Sequence, residues 1–350
     1  MAINEPFEIG DFLVKPGTRE HLQLPLPGAS GHLLQRLPVT VIHGKQAGPK
    51  VFICAAVHGD EVLGTEIIRQ LLAKPALKRI NGTLVVVPVV NIYGFIQHSR
   101  YLPDRRDLNR SFPGSSVGSL AARLANVLMT EVVERCTHGI DLHTAAIHRT
   151  NLPHLRICDD TKENVRLCQA FGVPVVLCSE LRDGSLRQAV QDLGKPMLLF
   201  EGGEALRLDM RVARSAVSGI LGVLSALEML PPRKPPKIAA TLTSESYWVR
   251  AHQAGLFHRN ARLGDHVKRG QTVGFITDPF DQTRYELTAR AAGILIGHCS
   301  NPVVNEGDGL FHVAVYSDRS EARDVAEAVG AYVGALENEH LGTDTTEGAL

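Results

Sequence analysis

The 350-residue sequence lacks net charge, with 37 lysines and arginines set against 37 aspartates and glutamates. Neutrality excludes a protein whose affinity rests on neutralising many phosphates, so no nucleic-acid partner is expected. So even a balance also excludes a polyelectrolyte or disordered chain. Long hydrophobic runs are missing too. The longest, Val51–Val57 and Leu84–Val90, are strand length, far below the ~18 residues of a membrane-spanning helix, so no membrane partner is expected. The opening Met1-Ala2-Ile3-Asn4-Glu5 has neither the basic nor the apolar stretch of a secretory signal, which makes the cytoplasm the expected location. The six cysteines (Cys54, Cys136, Cys158, Cys168, Cys178 and Cys299) form no Cys-x-x-Cys pair, the pattern of reduced, packed thiols. Cys54, inside an apolar run, reads as a small buried hydrophobe rather than a nucleophile. No Gly-x-Gly-x-x-Gly follows a strand and no Walker loop occurs, so nucleotide cofactors are unsupported.

What is present is a globular composition, 44% hydrophobic and 21% charged, in a chain long enough for one large and one small domain at ~150 residues per domain. From about Leu34 to Leu230, apolar runs of strand length alternate with helix-periodic segments, the signature of an α/β domain with a largely parallel sheet. Strands are expected at Val51–Val57, Leu84–Val90, Ile140–His143, Val173–Cys178 and Met197–Phe200. Helices are expected after Val62, over Leu120–Val133 and over Val165–Phe171. Four prolines among residues 231 to 237 mark the domain boundary. Beyond it, short alternating segments (Tyr247–Ala251, Gly255–Arg259, Thr272–Thr277, Gly293–Gly297, Leu310–Val315) separated by glycine turns predict a small all-β barrel or sandwich. The expected division is residues 1–232, 238–317 and a remainder of 318–350, with a helix over Glu321–Leu336 capped by Ser320 and a frayed polar end.

The chemistry-bearing residues cluster at strand exits. His58-Gly59-Asp60-Glu61 stands where the first apolar run ends and a helix begins, and residues three apart on one turn converge on a single ion. A lone His-x-x-Glu is a common chance match. Position adds weight, because His143 and Glu201 also close strands, and parallel sheets bind ligands at those ends. Two histidines and one carboxylate leave a coordination position for water, as in a catalytic zinc site. Glu201 is then free to act as general base, its plain alternative being a solvated carboxylate. The long segment Tyr93–Ser119 supplies Asn109 and Arg110 side by side, preceded by Arg100, Arg105 and Arg106. Arginine suits bidentate recognition of a carboxylate, so beside a metal this loop selects acidic substrates, although by itself it reads as a solvated surface.

His58-x-x-Glu61, the run Asp107-Leu108-Asn109-Arg110-x-Phe112-Pro113-Gly114, His143 after a strand and Glu201 after a later one resemble the succinylglutamate desuccinylase and aspartoacylase group of the zinc carboxypeptidase clan. Order and spacing agree over most of residues 40 to 230. The resemblance implies an α/β, zinc-carboxypeptidase-like mixed sheet flanked by helices, with a smaller C-terminal all-β domain. It implies one Zn2+ per chain on His58, Glu61 and His143, and Glu201 promoting attack of water on an amide. It also implies that Asn109 and Arg110 hold the substrate carboxylate, while an upstream arginine polarises the scissile carbonyl. Arg100 is assigned that role, with Arg105 and Arg106 as competitors, because the stretch before Asn109 looks slightly longer than in aspartoacylases.

Gly114-Ser115-Ser116-Val117-Gly118 matches the nucleophile elbow of serine hydrolases, but a polar loop rather than a strand precedes it. The β domain faintly resembles biotinyl or lipoyl carriers, yet Arg290-Ala291-Ala292-Gly293 offers no lysine to modify. A structural role, covering the site's mouth or making an oligomer contact, is the plainer reading. The sequence thus predicts a zinc hydrolase that deacylates a small anionic N-acyl amino acid or acylated amine. A zinc carboxypeptidase acting on short peptides and a zinc-bound non-catalytic binding protein are the alternatives, and homo-oligomerisation stays open.

Overall fold

The computed structural model describes residues 2–26, 35–281, 283–316 and 319–338. The N-terminal strands are β1 (Phe7–Ile9), β2 (Phe12–Val14), β3 (Thr18–Pro25) and β4 (Arg36–His43), followed by β5 (Lys50–Ala55), α1 (Leu63–Leu72), β6 (Thr83–Val87), α2 (Ile92–Gln97) and α3 (Leu120–Leu128). Next come β7 (His138–Ala145), β8 (Arg149–Ile157), α4 (Lys162–Phe171), β9 (Val175–Cys178), α5 (Leu186–Asp192), β10 (Met197–Glu204) and α6 (Met210–Ala226). The C-terminal part holds β11 (Thr241–Thr243), β12 (Ser246–Arg250), β13 (Gly255–Arg259), β14 (His266–Val267), β15 (Thr272–Thr277), β16 (Arg284–Thr288), β17 (Gly293–Cys299), β18 (Val303–Val304), β19 (Gly309–Val315) and α7 (Arg319–Asn338).

The large sheet is mixed. β6, β5, β7 and β10 run parallel to their neighbours, β3 and β4 add antiparallel strands on one side, and β8 pairs antiparallel with β10 on the other. Val51 to Ala55 and Leu84 to Val87 are fully buried, as expected of strands covered on both faces. On one face α1, α4 and α6 pack through Leu63, Ile67, Leu167, Phe171, Val212 and Ile220. On the other, α3, α5 and the N-terminal strands bury Phe52, Val85, Leu124, Val190 and Leu24.

Several expected elements have shifted bounds. The strand expected at Ile140–His143 runs over His138–Ala145, and β10 continues to Glu204, so Glu201 lies within the strand, before the register shift that leads to Gly203 (φ 78°). The helix at 120 is α-helical to Leu128 and π-helical over Met129–Val133. β8 is additional to the expected strands. One of its edges pairs with β10; the other pairs with β17 through residues 149–151 and with β9 through residues 155–157. The expected β segments beyond the proline-rich stretch are present as β12, β13, β15, β17 and β19. Through β17, β19 and β12 the large sheet runs on past that stretch, while β13, β15, β16 and β18 form a separate four-stranded sheet. Ser320 falls inside α7 rather than at its cap, and its side chain and residues 339–350 lie outside the described residues. No described helix is long and apolar enough to cross a membrane.

Candidate metal centre and active-site pocket

The chain leaving β5 turns sharply, with Ala56 at φ 50°. A Cβ on Gly59 would meet the Gly94 backbone at 2.1 Å, so only glycine allows the turn to lie against α2. That approach brings His58 and Glu61 beside the segment carrying Arg100 and Asp107. His143 comes from β7, one strand away.

These elements converge on the Glu61 carboxylate. Oε1 stands 2.6 Å from His58 Nδ1, and Oε2 stands 2.8 Å from His143 Nδ1 and accepts from Thr144 N at 3.0 Å. All three side chains are buried, and the two imidazole rings meet edge-on at 5.0 Å. Burial raises the Glu61 carboxyl, but His58 and His143 override it and hold it well below the ordinary carboxylate range. Burial lowers the imidazoles, yet Glu61 with Asp107 raises His58, and Asp141 with Glu61 raises His143 further.

A carboxylate backs the outer nitrogen of each imidazole. His143 Nε2 bonds Asp141 Oδ2 at 2.7 Å, while His58 Nε2 lies 3.3 Å from Asp107 Oδ1 without a well-directed hydrogen bond. Asp141 and His143 share a strand face because side chains alternate with period two. The ligand atoms of His58, Glu61 and His143 lie within 4.8 Å of one another. Two imidazoles and one carboxylate, each imidazole braced by an acid, form a donor set that fits a divalent ion.

Glu201 sits beside His143 in the parallel β10–β7 register. Asn151 Nδ2 donates to its Oε2 at 2.9 Å, and Arg156 Nε lies 3.5 Å from its Oε1. Burial pushes the Glu201 carboxyl up; the Arg156 guanidinium and the imidazoles oppose that, and burial wins. Arg100 bonds Asp107 Oδ2 through Nη2 at 3.0 Å and Nε at 3.2 Å, and its Nη1 lies 3.4 Å from Glu61 Oε1. Arg105 and Arg106 are exposed and are not among the residues that line the pocket. Asn109 is buried and its Oδ1 accepts from Leu186 N at 2.9 Å, which ties the Asp107–Arg110 turn to the start of α5. Arg110 is exposed, with its guanidinium on the Asn109 carbonyl.

His58, Glu61, His143, Glu201, Arg100, Asn109 and Arg110 all line one cavity of about 280 Å³. Cavities of about 660, 770 and 790 Å³ elsewhere contain none of the seven, so the side chains rather than the volume mark the site. Sequence reasoning gave no role to Asp107, Asp141, Asn151 or Arg156, nor to Trp248 and His312, which reach the same cavity from β12 and β19. An acid two residues before a strand-end histidine shares its face, and that signal points to Asp141. The serine elbow is absent as structure. Ser116 is exposed in a loop, and Ser119 caps α3 by accepting from Ala122 N at 3.1 Å. Cys54 is buried and donates to Asp141 Oδ1 at 3.3 Å, and burial with Asp141 pushes its thiol well up.

Residues 47–227 match the catalytic-domain model of the succinylglutamate desuccinylase/aspartoacylase family. An N-alpha-acetyl-L-2,4-diaminobutyric acid deacetylase of Halomonas elongata is 26% identical over 297 residues, covering 79% of this chain and 85% of that protein. A succinylglutamate desuccinylase/aspartoacylase from Rhodobacter sphaeroides superposes with a TM-score of 0.75 at 25% identity, covering 85% of this chain and 96% of the other. The product-bound ectoine utilization protein EutE (DoeB) from Ruegeria pomeroyi gives a TM-score of 0.75 at 26% identity, with 85% and 95% covered.

Proposed function

This chain belongs to the succinylglutamate desuccinylase/aspartoacylase family, and we propose that it is a zinc-dependent deacylase of a small anionic N-acyl amino acid or acylated amine, built on a carboxypeptidase-like fold. The observation that carries this reading is the convergence of both imidazole Nδ1 atoms on the Glu61 carboxylate, with Glu201 on the adjacent strand. His58, Glu61 and His143 hold one zinc per chain. Zinc bound there supplies Lewis acidity toward the acyl carbonyl and acidifies water.

Glu201 takes a proton from the attacking water and returns it to the departing amine. Its raised pKa suits that exchange, and Asn151 and Arg156 fix its orientation. Arg100, held by Asp107 next to Glu61, stabilises the charge that develops on the acyl oxygen. Asn109 and Arg110 receive the substrate carboxylate, Arg110 as the charged donor. The curated relative's name, a deacetylase of an N-acetylated amino acid, agrees with this reaction class.

The cavity favours a small substrate over a peptide chain, because β12 and β19 bring Trp248 and His312 into its lining. Amine release from a panel of N-acyl amino acids and dipeptides, with the zinc-loaded protein, tests the assignment. Turnover of N-acyl amino acids with dipeptides inert is the expected result. Peptide cleavage without deacylation would instead assign a carboxypeptidase.

A further inference from the structure

Two of the arginines in the cavity are occupied by the catalytic set, since Arg100 pairs with Asp107 and Arg156 with Glu201. Buried Arg187 is engaged by the carbonyls of Ile157, Ser179 and Glu180 and by the Ser179 hydroxyl. Arg110, Arg149 and Arg182 also line the cavity, and among the described residues none of them has a carboxylate within 4 Å. Among the described residues, the only carboxylates in the lining are Glu61 and Glu201. Both are taken, Glu61 by the two imidazoles and Glu201 by Asn151 and Arg156. The lining therefore has no acid left for a cationic substrate group, and more cation than one substrate carboxylate matches.

Arg149 is the best placed of the unmatched cations. Its guanidinium lies 5.3 Å from the centre of the Trp248 ring, within the range of a cation–π contact. Trp248 in turn stacks on His312 at 4.7 Å and 6° between planes, and His312 Nε2 is fixed by Ser246 Oγ at 2.9 Å. Burial holds His312 down at about 3, so the stack is neutral and does not compete with Arg149 for an anion. Register explains how the β strands reach this place. Trp248 pairs with His312, His312 with Gly297, and Gly297 with Asn151. At Gly297 a Cβ would come within 2.9 Å of Asn151 Oδ1, so the missing side chain leaves room for the amide that orients Glu201. Arg182, by contrast, is exposed and has no ring contact or ion pair among the described residues.

Resting on the deacylase reading above, we propose that Arg149, braced on Trp248, is a specificity-determining residue that receives a second substrate carboxylate, carried either on the acyl group or on the amino-acid side chain. A side-chain ammonium in that position is disfavoured. A charged, preoriented hydrogen-bond pair of this kind corresponds to a preference of about 10- to 100-fold.

Binding to the zinc-loaded Glu201→Gln protein, measured by calorimetry, tests the proposal without turnover. The probes are N-acetyl-L-glutamate against N-acetyl-L-glutamine, N-succinylglycine against its terminal amide, and Nα-acetyl-L-2,4-diaminobutyrate. The expected result is about 10- to 100-fold tighter binding of the acid in one pair, which identifies the source of the carboxylate, with the diaminobutyrate derivative weakest. Adding Arg149→Met should reduce that preference to under about 3-fold while leaving the amide's affinity in place, and Arg149→Lys should keep part of it. Acid and amide binding alike in both pairs, or a preference that survives Arg149→Met, overturns the proposal. If the parent enzyme hydrolyses none of these compounds and the acid preference is still present, the recognition site stands and the deacylase reading fails.

Discussion

Asp141 Oδ2 stands 2.7 Å from Nε2 of His143, two residues further along the same strand, while the other nitrogen of that ring faces Glu61. One imidazole is thus fixed at both ends, and its Nδ1 is aimed at the proposed ion. Replacing Asp141 with Asn should weaken zinc binding by about 10- to 100-fold without removing a ligand. Competition against a chelator of known affinity measures this. Unchanged affinity would show that Asp141 does not orient the ligand.

Asn151 and Arg156 hold Glu201 from a single neighbouring strand. Glu201→Gln preserves the shape and the Asn151 contact but cannot accept a proton. The kcat should fall by about 10²- to 10⁴-fold with zinc content unchanged. Paired metal analysis and kinetics check this, and full turnover by the metal-loaded variant would remove Glu201 from the role of base.

The pH profile follows from the same contacts. Burial raises the Glu201 pKa above the ordinary 4.5, and Arg156 is the largest charge opposing that rise. The base works only when deprotonated, so kcat/KM should climb as pH rises through the raised value. Arg156→Met removes the charge that favours the carboxylate, so the acidic limb should move to higher pH. A limb that stays in place or moves to lower pH would contradict this assignment.

Gly59 and Gly94 meet backbone to backbone, with 2.1 Å between a would-be Cβ and the Gly94 carbon. Gly59→Ala must push the His58 turn away from α2. The expected cost is about 1–3 kcal/mol in chemical denaturation, together with weaker zinc binding. A variant that matches the parent in both measurements would show that this packing does not set the ligand geometry.

The parts legible in the sequence were those in which local pattern and tertiary role coincide. Val51–Ala55 and Leu84–Val87 are continuous apolar runs because both their faces are covered; His58 and Glu201 stand out as polar residues that follow such runs, and His143 follows the mixed segment Ile140-Asp141-Leu142. β8 was not legible. Arg149-Thr150-Asn151-Leu152-Pro153-His154-Leu155-Arg156 mixes charge, amide and proline, since the strand lines the cavity while pairing along both edges. The partners of Glu201 and the proposed Arg149 site were therefore missed together. Trp248 and His312 gave no local signal either, because their place depends on β17 pairing with β8 across ~150 residues of chain. Among Arg100, Arg105 and Arg106 the sequence left a choice. Folding separates them, with Arg100 held inside by Asp107 and the other two at the surface.

The most direct test of the central claim is a zinc titration of the chelator-stripped protein, followed by amine release from an N-acyl amino acid. Activity should be absent in the stripped protein, rise in proportion to zinc, and level off at one ion per chain. A His143→Ala protein should stay inactive across the same titration. Full turnover by the stripped protein, or activation of His143→Ala like the parent, would contradict catalysis at the His58, Glu61 and His143 site.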